Sequence, residues 1–208
     1  MVVKHFEPFT SAVVLLVQRH PDNEKVNLKL ADRRLGYRSN KNKLDTVPWS
    51  SSIDDHLRRA VCDIQAGAIL NWFEVISDFD NRPDTEVSTW FGKIGSYDTE
   101  LAAFRLLHRL QGRYIPRLLS VVRLGITSSP VLFIVLEYIP GISIEKLQPH
   151  IDVSEQEAKR ISSDVMAALR AIEAENCLPH NDIYTRNVVL REGNWSPIII
   201  NFGEANIR

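Results

Sequence analysis

His180, Asp182 and Asn187 are the residues whose types and spacing best suit chemistry. They stand in the segment His180-Asn181-Asp182-Ile183-Tyr184-Thr185-Arg186-Asn187. A carboxylate at Asp182 can accept a proton from a hydroxyl nucleophile. An amide oxygen at Asn187 can ligate a metal. The same side chains could instead cap turns in a polar loop, because Asp and Asn readily bond nearby backbone. The order of the surrounding elements decides between these readings.

That order begins with a strand. Ser11 to Gln18 contains the apolar run Ala12-Val13-Val14-Leu15-Leu16-Val17, short and rich in valine. His20-Pro21-Asp22-Asn23 is a turn cluster. Val26 to Leu30 then alternates apolar and polar, so the two segments predict an antiparallel hairpin. The polar stretch Ser39 to Pro48 reads as an exposed loop. The spacing over Ile53 to Val75 predicts a helix, with Leu57, Val61, Ile64 and Ala68 on one face and Asp54 and Asp55 in its first turn.

Ser77 to Ser96 reads as an acidic loop, and Tyr97 to Leu110 as a helix burying Leu101, Phe104 and Leu107, with Gly112 as its C-cap. Strands follow around Leu119 to Leu124 and Val131 to Glu137, the second broken by Ile139-Pro140-Gly141. Ser154 with Glu157 forms a capping box. It opens a long helix whose buried stripe is Ala158, Ile161, Val165, Leu169 and Ile172. The His180–Asn187 segment comes next. Last are two short strands, Val188 to Leu190 and Ile198 to Ile200, joined through Gly193. The fold class is therefore α+β, with a sheet-rich N-terminal half and a helical C-terminal half meeting near Ile139.

Composition narrows the function. The chain has 208 residues, 44% hydrophobic and 25% charged, ordinary for a soluble globular protein. A net charge of -1 gives no basic excess for nucleic acid. Two cysteines, Cys62 and Cys177, have no paired spacing, and the six histidines are scattered. Neither a disulfide scaffold nor a cysteine-rich zinc site is expected. No signal peptide is expected from the first residues, and no apolar run is long enough to span a bilayer. The expectation is an intracellular, cytoplasmic chain with no membrane association.

His180 to Asn187, placed between a long helix and a strand, resembles the catalytic loop H-R-D-x-x-x-x-N of the protein-kinase superfamily. Val26-Asn27-Leu28-Lys29 looks like the family's V-A-I-K strand. Glu100 is placed like the glutamate that pairs with that lysine. Leu136-Glu137-Tyr138-Ile139-Pro140-Gly141 looks like the hinge between lobes, and Asn201-Phe202-Gly203 stands where the family has D-F-G. Leu28 to Arg34 and Leu110 to Pro116 are similar in wording to fungal kinase-like proteins. These carry an insert between the lysine strand and the glutamate helix, here about 37–96.

The resemblance implies a two-lobe kinase-like fold, with residues 1–138 as N-lobe and 139–208 as a truncated helical C-lobe. It implies ATP and Mg2+ as cofactors. Asp182 would be the base and Asn187 and Asn201 the metal ligands. Lys29 would contact the phosphates, Glu100 would orient it, and backbone groups of Glu137 and Ile139 would bind adenine. The implied reaction is phosphoryl transfer to a protein hydroxyl.

Departures from the family pattern point to weak or lost catalysis. No glycine precedes Gly36, so the glycine-rich phosphate loop is absent, and the family's first strand is expected to be missing with it. Asn201 lacks the charge a magnesium site prefers. Losing about 4 kcal/mol of transition-state stabilisation would slow transfer roughly a thousandfold. Asn181 replaces the arginine that contacts a phosphorylated activation loop. The sequence ends shortly after Gly203, so apolar C-lobe surface is expected to engage a protein partner or self-associate. The alternatives are a pseudokinase acting as a binding module and, further off, a small-molecule kinase of the aminoglycoside or choline type. The latter usually has glycine where Asn181 stands.

Overall fold

The computed structural model describes residues 1–6, 12–20, 22–31, 39–40, 43–46, 50, 52, 55, 58–59, 62–63, 66–68, 85–124, 131–148, 151–178 and 183–207. Among them the architecture is α+β, a five-stranded antiparallel sheet followed by a smaller mixed region.

The sheet is built from β1 (Val2–Phe6), β2 (Val13–Gln18), β3 (Lys25–Ala31), β6 (Leu118–Leu124) and β7 (Val131–Glu137), in the order β1-β2-β3-β7-β6. Burial at alternate positions marks β3 and the end of β7. Val26 and Leu30 of β3 and Ile134 and Leu136 of β7 are buried. Lys29 stands opposite Val14 on one side and Ile134 on the other.

β1 comes before the first strand that the sequence reading places, within Ser11 to Gln18. It pairs with β2 as an edge strand, and its residues are exposed except for half-buried Phe6. A strand with no buried face carries no alternating pattern for the sequence to show. β4 (Ser39–Asn40) and β5 (Lys43–Thr46) pair with each other where the sequence predicts an exposed loop. Two such short, polar strands lie below the reach of periodicity.

The first long helix, α1 (Thr85–Leu106), opens twelve positions ahead of the predicted start at Tyr97. Gly92 and Gly95 lie inside it, and each weakens helix propensity, which makes the segment read as loop. A 3-10 turn (His108–Leu110) follows α1, and Gly112 then takes a φ of 77°, a conformation that suits glycine. The helix predicted over 53–75 is partly seen. Positions 52, 55, 58, 59, 62 and 63 are helical, whereas 66–68 form a turn and bend, so Ala68 is not on a helical face. Leu57, Val61 and Ile64 lie outside the described residues.

The second helix, α2 (Glu155–Ala174), is capped as predicted. The Ser154 hydroxyl accepts from the Glu157 N–H, and the Glu157 carboxylate accepts from the Ser154 N–H. Ile161, Ala168 and Ile172 are buried, while Ala158 at the predicted end of the stripe is exposed. β8 (Gly141–Ser143), β10 (Val188–Arg191) and β11 (Pro197–Ile199) form a small sheet, and β9 (Cys177–Leu178) pairs with β12 (Asn206–Ile207). One core joins these parts. Tyr97, Leu101 and Phe104 of α1, with Leu107 just after it, pack with Ile134 and Leu136 of the large sheet, and with Ile172, Val188, Ile199 and Phe202 of the C-terminal region.

Candidate functional site

Lys29 is where three separate parts of the chain meet. Its Nζ lies 2.6 Å from Glu100 Oε2 on α1. The same nitrogen donates to Asn201 Oδ1 at 2.8 Å, in the segment after β11. The Lys29 side chain is 12% exposed and that of Glu100 2%, so the pair is largely shielded from water. The second Glu100 oxygen accepts the Phe202 backbone N–H at 3.2 Å. Both carboxylate oxygens are thus engaged, one by a charge and one by backbone.

Local structure explains each placement. β3 presents Lys29 from the sheet toward α1. On α1, Lys93, Ser96, Tyr97 and Glu100 follow a three-and-four spacing and share one face. With Lys29 and Ile134 they line a small open pocket beneath the sheet. Burial pushes the Tyr97 hydroxyl pKa up, and nearby Asp98 adds to the rise. Asn201 has a φ of 71°, in the left-handed region that asparagine tolerates better than most residues. Phe202 is fully buried and meets Phe104 of α1 edge to face, with centroids 5.7 Å apart. Gly203 approaches Ser96 so closely that a Cβ there would collide with the Ser96 hydroxyl.

Asn187 ends a 3-10 turn (Thr185–Asn187) and is 7% exposed. Its carbonyl accepts the Ile200 N–H at 2.9 Å. The register of β10 on β11 therefore brings Asn187 and Asn201 to the same end of one hairpin. His180 and Asp182 lie outside the described residues.

Glu137 and Ile139 sit at the end of β7. The Glu137 carboxylate serves as a strut, accepting from the Arg117 N–H at 3.0 Å and from Arg191 Nη2 at 3.2 Å. Arg191 also donates to the Gly112 carbonyl. Ile139 is buried, at 6% exposure. Sequence reasoning missed two charged residues of this neighbourhood. Lys93 is 9% exposed and stands two turns before Glu100, a spacing visible only once the helix is extended back past Tyr97. Arg191 gives no local signal, because its partner Glu137 is distant in sequence.

Magnesium does not fit the described donors well. Mg2+ favours carboxylate oxygens, whereas Asn187 and Asn201 offer amides, and the Asn201 oxygen already faces an ammonium. Among the described residues no group of three or more His, Cys, Asp or Glu could hold a metal. Among them, too, no helix is long and apolar enough to cross a membrane.

No protein-family model matches this chain. Over 71 residues, 34% of its length, the chain is 34% identical to the serine/threonine-protein kinase D of Synechocystis sp.. The aligned stretch is 13% of that protein. The similarity is to a kinase, and it reaches one part of each chain.

Proposed function

We propose that this chain is a kinase-like, ATP-binding domain whose phosphoryl transfer to a protein hydroxyl is weak or lost. One observation carries the reading. Lys29 is held by Glu100 from α1 and by Asn201 beside the Asn187 turn, so a strand lysine, a helix glutamate and the hairpin end converge on one nitrogen. In a two-lobe kinase-like arrangement, residues 1–138 would form one lobe and 139–208 the other. ATP would lie between them, its phosphates at Lys29 and its adenine at the backbone of Glu137 and Ile139. Glu100 would hold the lysine in place. Asp182 would take the proton from the acceptor hydroxyl, and Asn187 would face the phosphates. The partial similarity to a serine/threonine kinase supports the same class.

A second reading, a pseudokinase that binds a partner without turnover, draws on Asn201. Its amide oxygen is directed at Lys29, where the family's aspartate would grip a metal. Exposed apolar side chains at Met166, Ile183 and Tyr184 suit a protein partner or self-association.

Labelled-ATP transfer to the chain itself and to generic protein acceptors tests the reading. Any transfer should disappear in Asp182→Ala and in Lys29→Met. Transfer that persists in both variants would remove these residues from the mechanism. The pseudokinase reading expects no transfer from the wild type and none from Asn201→Asp. A large gain in Asn201→Asp would defeat it.

A further inference from the structure

From Leu101 to Leu136 the chain holds five arginines, one histidine and no aspartate or glutamate. The whole chain has a net charge of -1, so this stretch concentrates positive charge that the rest offsets. Arg105, Arg109, Arg113, Arg117 and Arg123 are all exposed. Among the described residues none of the five forms a salt bridge. The stretch runs from the last turn of α1 through the Gly112 turn and along β6. Gln111 fixes that path, its Nε2 donating to the Phe104 carbonyl and its Oε1 accepting from the Leu118 N–H. The Arg117 guanidinium lies against Gly112, where a Cβ would come within 2.7 Å of Arg117 Nε. Arg113 lies over the Tyr114 ring at 4.7 Å.

β6 is an edge of the large sheet. It pairs with β7 and, among the described residues, with no strand on its other side. Leu119, Val121 and Val122 on it are 37–42% exposed, between Arg117 and Arg123. We propose that this edge takes an added strand from an acidic, extended segment of a protein partner. Main-chain bonds to the open edge would supply affinity, and the arginines would select acidic side chains. A second copy of the chain fits poorly. In an antiparallel pair centred on Ser120, Arg117 of each copy would face Arg123 of the other, and like charges directly opposite destabilise. The apolar residues between the arginines suit a peptide better than a nucleic acid backbone. The proposal is independent of the nucleotide reading.

The test is fluorescence anisotropy of a labelled peptide of about ten residues, long enough to cover the edge, titrated with the full chain. The peptide alternates glutamate and valine. It should bind, and added salt should weaken it. Its Kd should rise at least about tenfold in the double variant Arg117→Glu, Arg123→Glu. A peptide of the same charge with two adjacent prolines at its centre should lose binding, because proline cannot donate to a strand. No binding of the glutamate–valine peptide would overturn the proposal. So would equal binding of the proline version, which would reduce the effect to charge alone, or equal binding to the double variant. Tighter binding of a labelled second copy, of phosphatidylserine vesicles or of a single-stranded oligonucleotide would overturn the choice of partner. Should the double variant fail to fold by circular dichroism, Arg123→Glu alone takes its place.

Discussion

Glu100 accepts the backbone N–H of Phe202 at 3.2 Å, and one turn further along the same helix Phe104 receives the Phe202 ring edge-on. The segment carrying Asn201 is thereby clamped to α1 by both backbone and side chain. The lysine that Glu100 also holds is fixed against the same segment. The proposed function and the stability of the fold therefore rest on the same residues.

Substitution of Glu100 should separate charge from hydrogen bonding. Glu100→Ala leaves Lys29 in a mostly buried place with its charge uncompensated, and frees the Phe202 N–H. Breaking a buried pair from one side destabilises by about 3–5 kcal/mol. Glu100→Gln also removes the charge facing Lys29 but keeps an oxygen for the Phe202 N–H, so it should cost less than Glu100→Ala by about 0.5–1.5 kcal/mol, the worth of that hydrogen bond. Urea unfolding of the three proteins measures this. Equal stability of Glu100→Ala and wild type would mean that the pair does not hold the fold.

Two glycines should respond in opposite directions to alanine. A Cβ at Gly141 would collide with the backbone carbonyl oxygen of Leu190, where β8 runs against β10. Neither backbone can retreat without breaking the small sheet, so Gly141→Ala should destabilise by about 1–3 kcal/mol or more. Gly95 lies inside α1, exposed, with open space around its Cα. Gly95→Ala should stabilise by about 0.4–1 kcal/mol, by raising helix propensity and restricting the unfolded chain. A fall in Tm for Gly95→Ala would show that α1 does not run through this position.

The same glycines show what the sequence conceals. β3, the end of β7 and α2 are legible because burial imprints a period of two or 3.6 on their residues, whereas β2 and the strands of the β10–β11 hairpin stand out as short apolar runs. α1 is legible only from Tyr97 onward, since Gly92 and Gly95 blur its first turns. β1 is missed because nothing buries its face. The site follows the same logic. Lys29, Glu100, Asn187 and Asn201 are singled out by their resemblance to kinase motifs, and the structure brings Lys29, Glu100 and Asn201 into contact. Lys93 is hidden behind the misread start of α1. Arg191 is hidden because its bond to Glu137 joins strands that only tertiary folding brings together.

The start of α2 should be sensitive to acid. Bonds from the Ser154 backbone and hydroxyl hold the Glu157 carboxyl below its ordinary pKa. A carboxyl whose folded pKa is depressed contributes stability that is complete above its unfolded pKa. That contribution is lost as pH falls from the ordinary carboxylate range through the lower folded value. Wild type should therefore lose more stability than Glu157→Gln between about pH 7 and about pH 3. Urea unfolding at both pH values reads this difference. Identical losses in the two proteins would mean that the capping box does not persist in solution.

The two cysteines should report on the core independently of any ligand. Cys62 is exposed, whereas Cys177 is fully buried beside Ile172 and Phe202 in the central cluster. Burial raises the Cys177 thiol above its ordinary pKa, leaving less of the reactive thiolate at neutral pH. A thiol reagent should modify one equivalent quickly in the native protein, and that equivalent should vanish in Cys62→Ser. The second should react only as fast as the core opens, and promptly in denaturant. Glu100→Ala, by loosening the clamp between α1 and Phe202, should speed labelling of Cys177 without changing that of Cys62. If Cys177 instead reacts as fast as Cys62 in the native wild type, the C-terminal region does not close over α1 and α2 in solution. The Lys29–Asn201 contact would then lack its support.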